Sequence, residues 1–366
     1  MRLVEKHVIK YSDSRYNELD NLMFLSKNLY NAALYSVRQF YFENKKYLGY
    51  YDLQKTFQTN KNVDYYALPC KVSQQTLKMV DQNFKSFFGS LRLKNNKKVR
   101  IPKYLDKNGR YNLIYTNQAI SLKRKGYVKL SSTNCYIKTN KQNIQQVRVF
   151  KKNNIITIEV VYLYNEKELK LNNDRYCSID LGINNLATVS SNVIKPFIIN
   201  GKPIKSINQF YNKKVGYYKS KLKNRKTNKK INKLTNKREN KIKDYLHKSS
   251  RYIVNHLVSN NINTLVIGYN KGWKQDINIG KVNNQKFVNV PFLTFITMLE
   301  YKCKIEGINV IINEESYTSK CSFLDDEEIC KHDNYLGRRI KRGLFKTSNG
   351  IFMNADLNGS LNILKK

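Results

Sequence analysis

The first residues read as a strand: Leu3, Val4, Val8 and Ile9 supply apolar and β-branched positions before about residue 16, with imperfect alternation. From Leu19 the period changes. Leu19, Leu22, Met23, Leu29, Ala33, Val37 and Phe40 recur mostly at steps of three and four, the stripe of a long amphipathic helix. Leu77, Val80, Phe84, Phe87 and Leu91 mark a second helix, for which Ser73 is the expected N-cap. Together they predict a helical lobe over residues 17–95, its aromatic stripe serving as core rather than as a platform for stacking bases.

Past that lobe, the basic run Lys94–Lys103 contains Pro102, which disfavours helix and favours an extended loop. Short strand patterns follow at Gly126–Ser131, Cys135–Lys138, Val147–Phe150 and Ile155–Tyr164, with Lys151–Asn154 as a hairpin turn between the last two. With the N-terminal strand they predict a β-barrel-like unit, residues 1–16 and 96–170, into which the helical lobe is inserted. The polar stretch Asn165–Asp174 is the expected boundary. Residues 171–366 then read as α/β, with strands at Tyr176–Leu181, Ala187–Ser190, Thr264–Ile267 and Asn309–Ile312 and a basic helical insertion over 205–258. The fold class expected is therefore α+β multidomain.

Composition sharpens this picture. A chain of 366 residues suits two or three compact units. Its 67 Lys and Arg against 27 Asp and Glu give a formal net charge of +40. A biased coding sequence that enriched Lys, Asn, Ile and Tyr should raise the acids too, yet they are scarce, so a polyanion such as DNA or RNA is the default partner. The excess concentrates between Tyr211 and Leu246, where fourteen Lys or Arg face only Glu239 and Asp244, the pattern of a solvated helical pair lying along a phosphate backbone. Candidate contacts are Lys97, Lys98, Arg100 and Lys103 in the first basic run, Lys219, Lys221, Lys223, Arg225, Lys229 and Lys230 in the second, and Arg342.

The same reading excludes other classes. No stretch approaches the roughly 18 apolar residues of a membrane span, and Glu159 breaks the most apolar run, Ile155–Tyr164. The N-terminus lacks the apolar segment of a signal peptide, and six scattered cysteines lack a disulfide-framework spacing. A soluble protein of a reducing cytoplasm is expected.

Amid so many bases, acids inside apolar runs are informative. Asp180 ends the strand Tyr176–Leu181 just before Gly182, a position that suits either a turn residue or a metal ligand at a sheet edge. Asp356 lies where the final helix starts, a place the helix dipole favours for any acid. That does not explain Asn354, Asn358 and Asn362, which recur every four residues on one face and suggest packing against a site. Two carboxylates far apart in sequence, on a strand and a helix of one α/β unit, match two-metal phosphodiester chemistry. Two Mg²⁺ ions about 4 Å apart need a bridging carboxylate and further acids, so a third acid is expected.

Four ordered motifs carry a resemblance: Ser178–Thr188, Tyr317–Ser322, Arg342–Phe345 and Asn354–Ile363, supported by Leu68–Phe88 and Arg100–Tyr104. Together they resemble TnpB, the transposon-encoded RNA-guided DNA endonuclease family ancestral to type V CRISPR effectors, over nearly the whole chain. The resemblance implies a wedge-type β-barrel, an inserted helical recognition lobe and a RuvC-like nuclease domain of RNase H fold. Asp180 and Asp356 fall on the first and last catalytic acids of that domain.

Two departures stand out. Where most members of the family end a strand in Glu, this chain has Gly268. Some members carry a rearranged glutamate just before the Thr-Ser motif, and the candidates here are Glu314 and Glu315, which alternation points to opposite faces. Glu315, three residues before Thr318, is favoured as the Mg²⁺ ligand beside Asp180 and Asp356. In the RNase H-like sheet that the resemblance implies, the strand Asn309–Ile312 is expected about 5 Å from Thr264–Ile267, a gap that a Glu side chain largely bridges. In place of the two Cys-x-x-Cys pairs common in the family, the loop 318–350 holds only Cys321, Cys330 and His332, with Lys346–Asn349 where the second pair would stand. Zinc is expected to be lost.

The resemblance implies an RNA-guided, Mg²⁺-dependent endonuclease that cleaves double-stranded DNA next to a short transposon-associated motif, working as a monomeric ribonucleoprotein in the bacterial cytoplasm. Its partners would be a guide RNA from the transposon end and the target DNA, with no membrane. The alternative, which Gly268 supports, is a nuclease-inactive RNA-guided DNA-binding repressor on the same scaffold. An RNA chaperone satisfies the charge but leaves the motifs unexplained.

Overall fold

The apolar periodicities become two separate cores in the computed structural model, which describes residues 1–93, 99–169, 173–222, 227–275, 278 and 280–366. The chain divides into two units, Met1–Asn165 and Glu166–Lys366.

The first unit runs β1 (Arg2–Ile9), helices α1 (Tyr16–Asn44), α2 (Tyr50–Thr59), α3 (Val63–Tyr66) and α4 (Cys70–Arg92), then β2 (Leu113–Thr116), β3 (Ile120–Ser121), β4 (Tyr127–Leu130), β5 (Tyr136–Lys138), β6 (Ile144–Lys152) and β7 (Ile155–Leu163). Strands β1, β7, β6 and β2 form one antiparallel sheet, and β3, β4 and β5 a second. The turn between β6 and β7 is Asn153–Asn154, both in the left-handed region (φ 49° and 66°), as a tight two-residue hairpin requires. Glu159, the acid that interrupts the apolar run, sits across from Lys6 on one neighbouring strand and Arg148 on the other and forms an ion pair with each. Buried α1 and α4 residues such as Met23, Leu77 and Phe84 share one core with Val147 and Ile158 of the sheet.

No closed barrel forms among the described residues, which corrects that expectation. Strand β1 pairs only with β7, and β2 only with β6. The reason is that helices α1 and α4 pack against this sheet and bury its apolar face, leaving no requirement for strands to close on themselves. Ser73 is also not an N-cap. Helix α4 starts earlier, at Cys70 after Pro69, and the Ser73 hydroxyl donates to Tyr65 O at 2.7 Å, tying α3 to α4.

The second unit comprises β8 (Tyr176–Leu181), β9 (Asn185–Ser191), β10 (Phe197–Asn200), α5 (Lys202–Ser220), α6 (Lys229–Ser259), β11 (Thr264–Gly268), α7 (Lys281–Val288), α8 (Phe292–Ile305), β12 (Asn309–Asn313), β13 (Arg338–Lys341), β14 (Leu344–Lys346), β15 (Phe352–Asn354) and α9 (Ala355–Lys365). Its main sheet has the order β10-β9-β8-β11-β12. Strands β8, β11 and β12 run parallel, while β9 and β10 continue the sheet antiparallel. Alternation along β8 sends Cys177, Ile179 and Leu181 into the core shared with α6 and α8. Ser178 and Asp180 therefore face the opposite side, where α9 packs. No helix among the described residues is long and apolar enough to cross a membrane.

Candidate active site

Asp180 lies near the end of the central strand, and α9 approaches it closely because the crossing residues are small. A Cβ on Gly359 would stand 3.2 Å from Asp180 Oδ2. Beside it, Ser178 Oγ donates to Ser360 O (2.6 Å), and the Ser190 hydroxyl lies 2.8 Å from that of Ser178 and 2.7 Å from that of Ser360. This buried hydroxyl cluster fastens α9 to β8 and β9. It thereby fixes Asp356, in the first turn of α9, whose backbone N–H donates to the Asn354 cap at 2.9 Å. Asn185 Nδ2 donates to Asp356 Oδ2 at 2.7 Å, and Arg339 Nη2 donates to Oδ1 at 3.1 Å.

Glu315 follows β12. Its N–H donates to Asn270 Oδ1 (3.0 Å), and its carbonyl accepts from the Thr318 hydroxyl (2.8 Å), a turn that aims the side chain over the end of β11. Position 268 is paired with Asn313 in parallel register. A Cβ on Gly268 would stand 3.0 Å from Glu315 Oε2 and 2.4 Å from Ile363 Cδ1. Glu315 and Ile363 thus occupy the space a side chain at 268 would need. Glu314 is exposed and accepts from the Ser316 hydroxyl at 2.8 Å.

The electrostatics are those of crowded acids. Burial, then the Glu315 and Asp356 carboxylates, raises the Asp180 carboxyl well above its usual range, while Arg339 acts in the other direction. Burial pushes Glu315 up to about 7, and its Oε2 is buried without a hydrogen-bond partner among the described residues. An orphaned carboxylate oxygen beside mutually repelling acids fits a hard divalent cation. As the side chains stand, no three His, Cys, Asp or Glu groups among the described residues are poised to hold an ion, and both oxygens of Asp356 are engaged by Asn185 and Arg339. Next to Asp356 opens a cleft of about 610 Å³ lined in part by Lys202, Arg339 and Arg342.

The loop 318–350 is folded by protein groups. Buried Glu327 accepts the N–H of Ser322 (2.6 Å) and of Leu336 (3.0 Å), and Asp325 accepts both the N–H and hydroxyl of Ser348. Cys321 is buried with its thiol 3.6 Å from Cys330 O, and Cys330 Sγ lies 3.3 Å from His332 Nε2. These residues do not supply the four thiolates of the family's zinc site. The asparagine face also finds its partner here. Asn358 Nδ2 donates to Cys321 O (2.8 Å), and Asn362 Nδ2 donates to Thr318 O (2.8 Å) and Cys321 O (2.7 Å).

Of the basic candidates, Arg100 and Lys103 are exposed in the first unit, and Lys219, Lys221, Lys229, Lys230 and Arg342 are exposed in the second. Lys97, Lys98, Lys223 and Arg225 lie outside the described residues. Sequence reasoning missed Asn185, Arg339 and Glu327. Asn185 lies within the Ser178–Thr188 motif and could have been found there, whereas nothing local distinguishes Arg339 from its many basic neighbours.

The fold and site define a strongly basic, multidomain α/β protein with carboxylates gathered at the ends of a sheet's inner strands. The family described as "Probable transposase" (OrfB_IS605) matches residues 159–274, and the "Cas12f1-like, TNB domain" family matches residues 292–363. These two matched segments support a TnpB-like family. None of the curated proteins compared with it matches. Among solved structures, the "Cas12f1-sgRNA-target DNA complex" aligns at 13% identity and TM-score 0.42, covering 99% of this chain and 98% of that one. The "mini-RNA-guided endonuclease CRISPR-Cas_phi3" aligns at 10% identity and TM-score 0.48, covering 100% and 92%. Likeness at this level says nothing about the site.

Proposed function

We propose that the protein is an RNA-guided, Mg²⁺-dependent endonuclease that cleaves double-stranded DNA beside a short transposon-associated motif, with Asp180, Glu315 and Asp356 as the metal-holding acids of a RuvC-like domain. The observation that carries this reading is the packing at Gly268. Taken alone, a glycine where the family has Glu reads as a lost nuclease. The Glu315 carboxylate standing against that position supports a relocated acid instead, and so favours the cutter over the inactive scaffold. A sheet with three antiparallel strands continued by two parallel ones supports the RNase H-like assignment.

When bound, the ions would supply an activated water for in-line attack on the scissile phosphate and neutralise the leaving 3′ oxygen. The chain's own groups prepare for that chemistry. Asn185 orients Asp356 through one oxygen, and the Ser178, Ser190 and Ser360 cluster holds the strand and helix that carry the two aspartates. Arg342 and Lys202 would position the DNA backbone in the cleft beside Asp356. The exposed lysines of α5 and α6 would grip an RNA–DNA heteroduplex by its phosphates, since base pairing with the guide rather than side chains reads the sequence. Residues 1–16 and 96–170 would form the wedge and 17–95 the recognition lobe of a monomeric ribonucleoprotein in the bacterial cytoplasm.

Purified protein with its co-purified RNA tests the proposal on a plasmid carrying the matched target. Linearisation that requires Mg²⁺, together with one discrete RNA species on sequencing, is expected. Binding without any cutting contradicts it.

A further inference from the structure

The small sheet β3-β4-β5 carries a face that the proposed chemistry leaves unused. Along β4, Val128 and Leu130 are buried, so Tyr127 and Lys129 point outward; along β5, Ile137 is buried between Tyr136 and Lys138. The antiparallel register sets Tyr127 opposite Lys138 and Lys129 opposite Tyr136. Two tyrosines and two lysines therefore alternate as a checkerboard. Ser121 on β3 extends one row by pairing with Lys129. Arg124, between β3 and β4, lays its guanidinium 4.4 Å from the Tyr127 ring centroid and 5.8 Å from that of Tyr136, and Lys129 Nζ lies 5.4 Å from Tyr136. These side chains, Lys138 aside, line a hollow of about 480 Å³ whose lining contains no acid.

That absence extends along the chain. No Asp or Glu occurs from Lys107 to Ile158. A solvent face on a small sheet needs polar residues for solubility, but solubility does not call for half-buried rings placed between cations of one sign. A bare phosphate or an acidic peptide would use the lysines and leave the tyrosines idle. A ligand with flat π-faces strung on a phosphate backbone uses both kinds of group, because bases stack on aromatic rings while phosphates meet the cations.

We propose that this face is a stacking site for one or two unpaired nucleotides of a single strand, the bases lying on Tyr127 and Tyr136 and the phosphates on Arg124, Lys129 and Lys138. Arg124 now covers the rings, so it yields that position to the base and turns to the backbone. The inference rests on the nucleic-acid part of the proposed function and needs no cleavage.

Photo-crosslinking of the full chain to short oligo-uridylate and oligo-thymidylate carrying 5-iodinated pyrimidines tests it, with adducts located by mass spectrometry. Adducts on Tyr127 or Tyr136 are expected, and the better-crosslinking strand tells whether RNA or DNA is the source. At raised salt, where phosphate contacts are screened, Tyr127→Ala and Tyr136→Ala should each weaken binding roughly tenfold, while the Phe variants bind as wild type. Both rings are half-buried, so thermal unfolding of the Phe variants should match wild type, and thermal unfolding of the Ala variants should show them still folded at the binding temperature. Adducts confined to other segments, or Phe variants as weak as the Ala ones, overturn the proposal. Failure of both oligonucleotides to bind at all would instead contradict the nucleic-acid reading itself.

Discussion

A single missing side chain organises the candidate site. Gly268 ends β11, and its lack of a Cβ lets Glu315 Oε2 and Ile363 Cδ1 approach to distances that no other residue there permits. Gly268→Ala should therefore cost about 1–3 kcal/mol of stability by overpacking, measured by chemical denaturation, and should depress cleavage by displacing the Glu315 carboxylate. Ile363→Val removes the closest clashing atom. In that background the same Gly268→Ala change should cost measurably less, and equal costs in both backgrounds would show that the two residues do not compete for space. Asp180 stood out in the sequence because it ends an apolar strand and Asp356 because it opens the final helix beside a face of asparagines, while their roles as metal ligands are what the resemblance implies. The resemblance offered Glu314 and Glu315 as candidates for the third acid and alternation allowed only one of them; the structure puts Glu314 in solvent and Glu315 against Gly268. Of the partners of Asp356, Asn185 stood within the Ser178–Thr188 motif, whereas Arg339 was not legible, because it reaches Asp356 from another element and contact across the fold leaves no periodicity in the chain.

Elements were easier to read than their boundaries and pairings. The strands β6 and β7 and their hairpin follow from alternation and turn residues, whereas the neighbourhood of β11 and β12 was expected only from the RNase H-like sheet that the resemblance implies. Closure of the sheet did not follow, since the sequence could not show that α1 and α4 cover its apolar face. The asparagine face of α9 was legible as a packing surface, yet its partner is the backbone of the 318–323 turn rather than the acids themselves. In the same loop Glu327 bridges the backbone N–H groups of Ser322 and Leu336. Glu327→Ala strands both donors and should cost about 3 kcal/mol, read as a lowered unfolding midpoint. A chelator should leave the wild-type midpoint unchanged, and a large drop would point to a structural metal.

Helices α6 and α8 are joined by buried Lys302, which donates to His247 O and Ser250 Oγ, each at 2.7 Å. Burial first, with the Arg251 charge adding to it, lowers this ammonium to about 8 from its ordinary 10.5. Between those values the unfolded chain holds a proton that the folded chain has released, so stability rises with pH. Relative to Lys302→Met, the wild type should gain stability from pH 8 toward pH 10 in denaturant titrations; a constant difference would contradict this.

For the whole molecule, net charge announces a polyanionic partner, while the proposed chemistry rests on a few acids. The excess of bases on α5 and α6 is exposed, and replacing Lys219, Lys229 and Lys230 by Glu should weaken nucleic-acid binding across sequences and flatten its dependence on salt, as measured by filter binding over a salt series. Loss of affinity for one sequence only would argue against a backbone role. The central claim is that Glu315 replaces the acid missing at Gly268. Its most direct test is Mg²⁺-dependent cleavage of a matched plasmid by the purified ribonucleoprotein, comparing Glu315→Ala with Glu314→Ala. Loss of a metal-holding acid should exceed the roughly 10–100-fold cost typical of its supporting residues, so Glu315→Ala should fall by more than about a hundredfold while Glu314→Ala cuts like wild type. Equal activity of the two variants would contradict the account.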